Sequence, residues 1–330
     1  MFRMPVFDPS HPGLASALPA ASVVVPSYQA ACHIRSMLRS LVAQDTSLAY
    51  EIIVVDSSTD GTDRIVAEEF AQVRLLHFDR RCHVGAARNL GIEAAKGEII
   101  LFLDTDTVAG PTWVAQMCRA LLEGKADAVG GSMRNGTPWS VTGSVGFYLE
   151  FFRFLEYNGR PRPTRFLVGG NSGFRRDVLK DIEYLDHPGG EDMLLSWLLA
   201  LQGRNLLFLP RAAVKHQNRT GFRRVVGYQR QLGRGAFLYR SLESPRSIRL
   251  LRAAPPLICL MPFAVMIWIA CTLLLRRRIA DLLRFAVILP ACFIANAAWA
   301  SGFYESLRQA GKAGGAQERI RPSANKSHLE

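Results

Sequence analysis

Two aspartates, Asp104 and Asp106, follow directly on the apolar run Ile99–Leu103. Residues two apart on an extended backbone project to the same side, so the pair brings hard carboxylate oxygens together where a strand ends. Such oxygens suit Mg2+ or Mn2+, and an ion held there can bridge a diphosphate and act as a Lewis acid on a leaving group. A second acidic pair, Glu191-Asp192, follows Gly189-Gly190 and opens a helical stretch. It reads either as a plain helix start, favoured by the dipole, or as a site of proton transfer. In the second reading Asp192 is a general base taking the proton of an attacking hydroxyl, and Glu191 holds the acceptor. Asp56 ends another β-branched run and leads into Ser57-Ser58-Thr59-Asp60-Gly61-Thr62. That segment fits simple turn chemistry, or a carboxylate that reads a base or ribose through its NH or OH groups.

The chain around these groups alternates short β-branched runs with amphipathic ones. Strands are expected at Ser22–Val25, Glu51–Val55, Val73–His77 and Ile99–Leu103. Helices are expected near Ile34–Ala43, Thr62–Phe70, Val84–Ala95 and Thr112–Glu123. Such alternation predicts an α/β fold with a mostly parallel central sheet and helices on both faces. Ligands of open α/β sheets sit outside the carboxyl ends of the strands, where Pro26-Ser27-Tyr28, Asp56 and Asp104-Thr105-Asp106 all fall. A less regular region follows, with strand material at Phe166–Phe174, a helix over Glu191–Leu201, and short strands at Asn205–Leu209 and Ala213–Lys215.

Hydrophobic residues make up 49% of the 330 residues and the mean hydropathy is +0.09, high for a wholly soluble protein. The excess is local, because Ala253–Leu275 and Phe285–Tyr304 carry no charge. As a helix the first run is about 35 Å long, against roughly 30 Å of bilayer hydrocarbon. The net charge is +12, and from Arg240 to the end 13 Lys and Arg stand against 5 Asp and Glu. These cations flank the apolar runs, so anionic headgroups and the positive-inside tendency explain them better than nucleic acid does. The connector Arg276–Arg284 holds four arginines, which a simple hairpin would export. Either that charge yields to the rest of the topology, or the segments lie partly within one leaflet. Ahead of them, Phe222–Tyr239 with Arg223, Arg224, Arg230, Arg234 and the adjoining Arg240 reads as an interfacial amphipathic helix. It would keep a site at the membrane surface and favour a lipid-linked acceptor, such as a polyprenyl phosphate or a glycolipid. The six cysteines show no Cys-x-x-Cys pair and read as reduced, packed thiols. No apolar run precedes Pro19, so no signal peptide is expected and the main domain is expected in the cytoplasm, at the inner membrane.

Residues 21 to about 218 resemble the family-two glycosyltransferases through six segments in order. These are SVVVPSYQA, IIVVDSSTDGT, VGAARNLGIEAAKGEIILFLDTDT, VGGNSGFRRDVL and GGEDMLLSWLLALQGRNLLFLP, in which the long third segment holds both a Gly followed by Ala-Arg-Asn and the paired aspartates. The resemblance implies the GT-A nucleotide-diphospho-sugar transferase fold, followed here by C-terminal hydrophobic helices. It also implies inversion at the anomeric centre, a UDP- or GDP-linked donor and a lipid-linked or glycan acceptor. By the same resemblance Pro26, Ser27, Tyr28, Asp56, Gly85, Arg88, Asn89 and Asp104 would bind the nucleotide sugar, with Asn89 supporting Arg88. Asp104 and Asp106 would hold the metal, joined by His216 unless that residue is a structural histidine. Gly170, Asn171, Gln231 and Arg234 would lie on the acceptor side, and Asp192 inherits the base role. The organisation expected is a leader over 1–20, a catalytic domain over 21–221, a basic interfacial region over 222–252, a membrane-associated helical pair over 253–304 and a polar tail over 305–330.

The family's usual arginine after the Glu-Asp pair is replaced by Leu198 and Leu199. Gln231-Leu232-Gly233-Arg234-Gly235 is similar to the Gln-x-x-Arg-Trp motif of processive polysaccharide synthases, the rival reading, but Gly235 stands where Trp would. Without that aromatic platform, transfer of a single sugar is the expectation. A nucleotidyltransferase needs a Gly-rich basic loop after its first strand, and a dinucleotide dehydrogenase needs Gly-x-Gly-x-x-Gly there. Pro26-Ser27-Tyr28-Gln29 is neither. A non-enzymatic binder would leave Asp56, Asp104, Asp106 and Asp192 idle.

Overall fold

The computed structural model describes residues 18–312 apart from 157, 181 and 186–188. Its first half alternates β1 Ala21–Ser27, α1 Ile34–Val42, β2 Tyr50–Asp56, α2 Thr62–Glu69, β3 Arg74–His77, α3 Val84–Ala94 and β4 Ile99–Leu103. Then come β5 Thr107–Ala109, α4 Trp113–Leu122, β6 Ala128–Asn135, α5 Val141–Phe151, β7 Arg162–Pro163, β8 Asn171–Arg175, α6 Glu191–Leu201 and β9 Leu206–His216. Helices α7 Phe222–Glu243, α8 Pro245–Ala253, α9 Met261–Leu275 and α10 Ile279–Lys312 follow.

The strands form one nine-stranded sheet in the order β3-β2-β1-β4-β8-β6-β9-β5, with β7 attached to β9. β3, β2, β1 and β4 are parallel. β8 runs antiparallel between β4 and β6, and β9 returns to the parallel direction beside β6. β4 is apolar without alternation and β1 nearly so, apart from Ser22 and Ser27, and every residue in both is buried, as expected of strands covered on both faces. On α1, Ile34, Met37, Leu38 and Leu41 form the buried stripe that a 3.6-residue period requires.

Several elements differ from the sequence expectation. Of the expected strand Phe166–Phe174 only the part from Asn171 onward pairs, as β8, since Gly169 and Gly170 bend past Arg88 and Asp104 before it. The two late short strands are one strand, β9, which carries Pro210 through a register shift opposite Gly131 and Met133. β6 and α5 lie outside the sequence expectation, β6 because Gly130 and Gly131 dilute its pattern and α5 because it is apolar nearly all round. Within the expected interfacial region 222–252, the stretch Arg240–Arg252 continues as the end of α7 and α8, with Pro245 in the first turn of α8, where its missing N–H costs nothing. Residues 305–312 extend α10 instead of starting a tail. Most of the expected leader and the remainder of the tail lie outside the described residues.

Two glycine contacts fix α7, one against the segment before α6 and one against α10. A Cβ on Gly235 would lie 2.5 Å from the Gly189 carbonyl oxygen, directly before α6. A Cβ on Gly233 would run into the Trp299 carbonyl on α10. The backbones touch at these points, so an aromatic residue at 235 has no room. That is the physical reason for the departure from the Gln-x-x-Arg-Trp pattern.

Candidate active site

The ends of β1, β4 and β9 and the start of α6 border a cavity of about 570 Å3. Arg88, buried on α3, is its central strut. Nη1 donates to Glu191 Oε1 at 2.9 Å and Nη2 to Asp104 Oδ1 at 3.1 Å, while the guanidinium lies 5.1 Å from the Tyr184 ring centroid. Burial pulls its pKa down, but Asp104, Tyr184 and Glu191 outweigh that and the net shift is upward. Glycine makes the room: a Cβ on Gly169 would lie 2.6 Å from the guanidinium nitrogens, and one on Gly170 would overlap the Asp104 carboxylate. Asn89 acts at one remove. Its amide donates to the Tyr184 carbonyl and accepts from the Tyr184 N–H, both at 2.9 Å, which holds the ring that Arg88 faces. Gly85 lies just inside α3, and a Cβ there would strike the Leu185 carbonyl.

Asp104 is 37% exposed at the mouth of the cavity, yet loss of solvent and the Asp106 charge together raise its carboxyl pKa against the pull of Arg88. Asp106 Oδ1 is buried and has no hydrogen-bond partner among the described residues, and Oδ2 lies 3.5 Å from His216 Nε2. The state of that ring follows from Asn218. Asn218 Nδ2 faces three acceptors, Asn135 Oδ1 at 2.8 Å, Thr137 Oγ1 at 2.9 Å and the His216 carbonyl at 3.1 Å. Its Oδ1 therefore accepts from His216 Nδ1 at 2.8 Å, and a neutral ring presents a bare Nε2 to Asp106. A ring nitrogen and a carboxylate oxygen turned toward each other beside an orphan carboxylate oxygen make a place that a cation could occupy. Among the described residues no three His, Cys, Asp or Glu side chains stand close enough to hold an ion unaided. An Mg2+-like ion typically takes only one or two carboxylates and completes its sphere with phosphate and water oxygens, and Asp106, His216 and Asp104 fit that pattern.

Asn218 is a residue that sequence reading missed; its signal, two positions after a strand-end histidine, is weak. It orients the His216 imidazole, and if that ring ligates a metal the contact predicts a measurable effect. Asn218→Ala is expected to raise the Mn2+ concentration for half-maximal activity by about 10–100-fold, with little change in turnover at saturating Mn2+. A metal titration of both proteins checks this.

Asp192 stands at the start of α6, where its Oδ2 accepts from the Gly169 N–H at 3.1 Å and Oδ1 from the Met193 N–H at 2.8 Å. These bonds hold its carboxylate at the cavity wall. Glu191 turns the other way, into the buried pair with Arg88. Burial, reinforced by the neighbouring Asp192 charge and opposed by Arg88, lifts its pKa to about 7. Glu191 lines the cavity and at the same time ties the helix start to Arg88 through Oε1.

Three further expected residues are placed elsewhere. Asp56 is fully buried, accepts from the Ser58 N–H at 3.0 Å and the Ser58 hydroxyl at 2.6 Å, and meets His77 Nδ1 at 2.8 Å. It braces its own turn and is absent from the cavity lining, a correction to the open base-reading role. Asn171 is also fully buried, its amide accepting from Trp113 Nε1 at 2.8 Å and donating to the Ser132 carbonyl at 3.0 Å, so it joins strands instead of meeting an acceptor. Arg234 faces away and pairs with Glu305 at 2.7 Å, whereas Gln231 and Gly170 do line the cavity. Pro26, Ser27 and Tyr28 line it too, with the Arg81 guanidinium 4.4 Å from the Tyr28 ring centroid.

Arg219, Tyr228 and Glu150 form a wall that sequence reading did not identify. The Arg219 guanidinium lies 3.6 Å from the Tyr228 ring centroid, and Glu150 accepts from Gln229 Nε2 at 3.1 Å. Burial, with help from Asp106, lifts the Glu150 pKa from 4.5 to about 7. The folded state thus keeps a proton that the unfolded chain loses between those values, and stability falls as pH rises through that window. Glu150→Gln is expected to match wild type at pH 4 and to be more stable at pH 8, by on the order of 1–3 kcal/mol. Denaturant unfolding in chelator at the two pH values tests the sign.

Residues 22–183 match the family model described as Glycosyl transferase family 2. These residues form a family 2 glycosyl transferase domain. Among curated family relatives, the glycosyltransferase AglE of Haloferax volcanii is 33% identical over 174 residues, 51% of this chain and 57% of that protein. Chondroitin synthase of Escherichia coli is 27% identical over 240 residues, 61% of this chain and 35% of that protein. The chain thus spans between about a third and three fifths of the length of these two relatives. Among solved structures, the mannosyltransferase PcManGT of Pyrobaculum calidifontis in complex with GDP-Man and Mn2+ superposes with a TM-score of 0.61 at 19% identity, covering 89% of this chain and 88% of that one. At that identity the likeness speaks for the fold, which is GT-A.

Proposed function

We propose that this chain moves a single sugar from a UDP- or GDP-linked donor to a lipid-linked acceptor, with inversion, at the cytoplasmic face of the inner membrane. The observation that carries the reading is the orphan Asp106 Oδ1, with its Oδ2 3.5 Å from His216 Nε2, in the same cavity that Asp192 lines. Asp106, His216 and Asp104 would hold Mg2+ or Mn2+, and the complex of PcManGT with GDP-Man and Mn2+ is consistent with that pairing of donor and ion. When bound, the ion offsets charge on the departing nucleoside diphosphate.

The remaining steps belong to the chain. Pro26, Ser27 and the Tyr28–Arg81 stack border the nucleotide, and Arg219 offers the diphosphate a second cation. Asp192 takes the acceptor hydroxyl's proton as that oxygen attacks the anomeric carbon opposite the leaving phosphate, which inverts the centre. Arg88 holds Asp104 and Glu191 in register for this. At the acceptor end the lining turns apolar, with Val265, Trp268 and Trp299 from α9 and α10, which supports a lipid-linked acceptor.

Nucleoside diphosphate release from a panel of UDP- and GDP-sugars, with Mn2+ or chelator and with lipid-linked or soluble acceptors, tests the proposal. Release is expected from one donor class, with Mn2+ and a lipid-linked acceptor together. Equal turnover on soluble acceptors would overturn the lipid assignment.

A further inference from the structure

Two helical stretches are long and apolar enough to cross a bilayer, Pro255–Leu275 and Ile279–Gly311. Membrane attachment through them is part of the function proposed above, and the inference here rests on it. Their connector does not stand apart from the catalytic domain. Arg276 Nη1 donates to the Arg153 carbonyl at 3.1 Å, and Arg278 Nη1 to the Glu156 carbonyl at 2.9 Å. Arg278 Nε also donates to Asp281 Oδ2 at 2.6 Å, and the other Asp281 oxygen accepts from the Tyr148 hydroxyl on α5 at 2.8 Å.

From there α10 stays on the domain. Phe285, Ile288, Cys292, Ala295, Ala300, Phe303 and Leu307 are buried, one stripe at helical spacing. Phe285 meets Tyr148 of α5 at 5.9 Å between centroids, and further along Gly302 abuts the Arg230 carbonyl of α7. A helix of 34 residues, about 50 Å long, is thus flanked by protein for most of its length. α9 is held in the same way, with Ile269 and Leu273 fully buried and Trp268 edge-on to Phe152 at 4.9 Å. A hairpin that crossed a bilayer would carry its connector roughly 30 Å from the side where the domain sits. A connector hydrogen-bonded to that domain cannot be there.

The outward faces are apolar. Phe263, Ile267 and Leu275 on α9 and Leu283, Val287 and Ile294 on α10 are more than half exposed. Beside them stand exposed cations, Arg246, Arg249 and Arg252 on α8 and Arg277 in the connector. An apolar face bordered by arginines matches the boundary between acyl chains and anionic headgroups. We propose that α9 and α10 lie in the plane of one leaflet of an anionic bilayer as a monotopic wedge, with the connector on the same side as the catalytic domain. Val265 and Trp268 belong to both wedge and cavity lining, so an amphiphilic acceptor reaches the site from that leaflet without leaving it.

The test uses the full chain carrying Ala280→Cys, expressed in a bacterial host and probed in sealed inverted and right-side-out vesicles. A membrane-impermeant maleimide is applied and its sites are mapped by peptide mass spectrometry. The exposed native Cys32 marks the catalytic side. Position 280 is expected to label in the same preparation as Cys32 and to be protected in the other. Labelling in the opposite preparation would overturn the wedge and leave membrane attachment standing. Labelling in neither until detergent is added would overturn the docked connector. A chain that does not sediment with the vesicles at all would overturn attachment and wedge together.

Discussion

Asp192→Asn is expected to lose glycosyl transfer by about 10²–10⁴-fold or more, while donor affinity changes little. The carboxylate is held by two backbone N–H groups, of Gly169 and Met193. An asparagine can satisfy one of them with its oxygen, and its NH2 is left facing the other. The structural cost is on the order of 1 kcal/mol, too small to unfold the start of α6. What the substitution removes is the basicity. Single-turnover rates beside calorimetric binding of the nucleotide separate the two effects, and equal losses in both would reduce Asp192 to a structural residue. The same variant discriminates between acceptors: a phosphate acceptor is already ionised and needs no base, so only a hydroxyl acceptor produces the full loss.

The second large effect is expected from Asp106→Ala. In the wild type, nucleoside diphosphate and Mn2+ together should raise the unfolding temperature more than either alone, because binding to the folded state at 100 times Kd adds about 2.7 kcal/mol. The variant is expected to lose that mutual stabilisation and to turn over no faster than wild type in chelator. Misfolding is a poor explanation in advance, because Oδ1 is buried without a partner among the described residues. Deleting such a group should leave the metal-free fold as stable as wild type or more so. Undiminished turnover of Asp106→Ala in chelator would remove the metal from the mechanism.

Both predictions concern residues that could be found by reading along the chain. Apolar runs, helical stripes and the polar groups at their ends are properties of neighbours in sequence, and these located β1, β2, β4, α1, α3 and α6 with their aspartates at the sheet's carboxyl edge. The places where reading failed share a cause. β6 carries glycines because β8, β9 and the Asn171 side chain crowd against it, a packing demand invisible in a strand's own pattern. β9 is one strand because β6 accommodates its register shift.

By itself, then, the sequence determined the order of strands and helices, the acidic strand end, the acidic helix start and the two apolar runs, all through interactions within a few residues. Which of those carboxylates is free to act was decided only in three dimensions. Asp56 is taken up by Ser58 and His77, and Glu191 by Arg88 from a helix 103 positions away, while Asp106 keeps a bare oxygen and Asp192 keeps its place at the cavity. Tertiary structure likewise tied the arginine-rich connector to the catalytic domain, through carbonyls at residues 153 and 156 that no local pattern associates with it. A side chain's chemistry is set by the groups that satisfy it, and those come from wherever the fold brings the chain back upon itself.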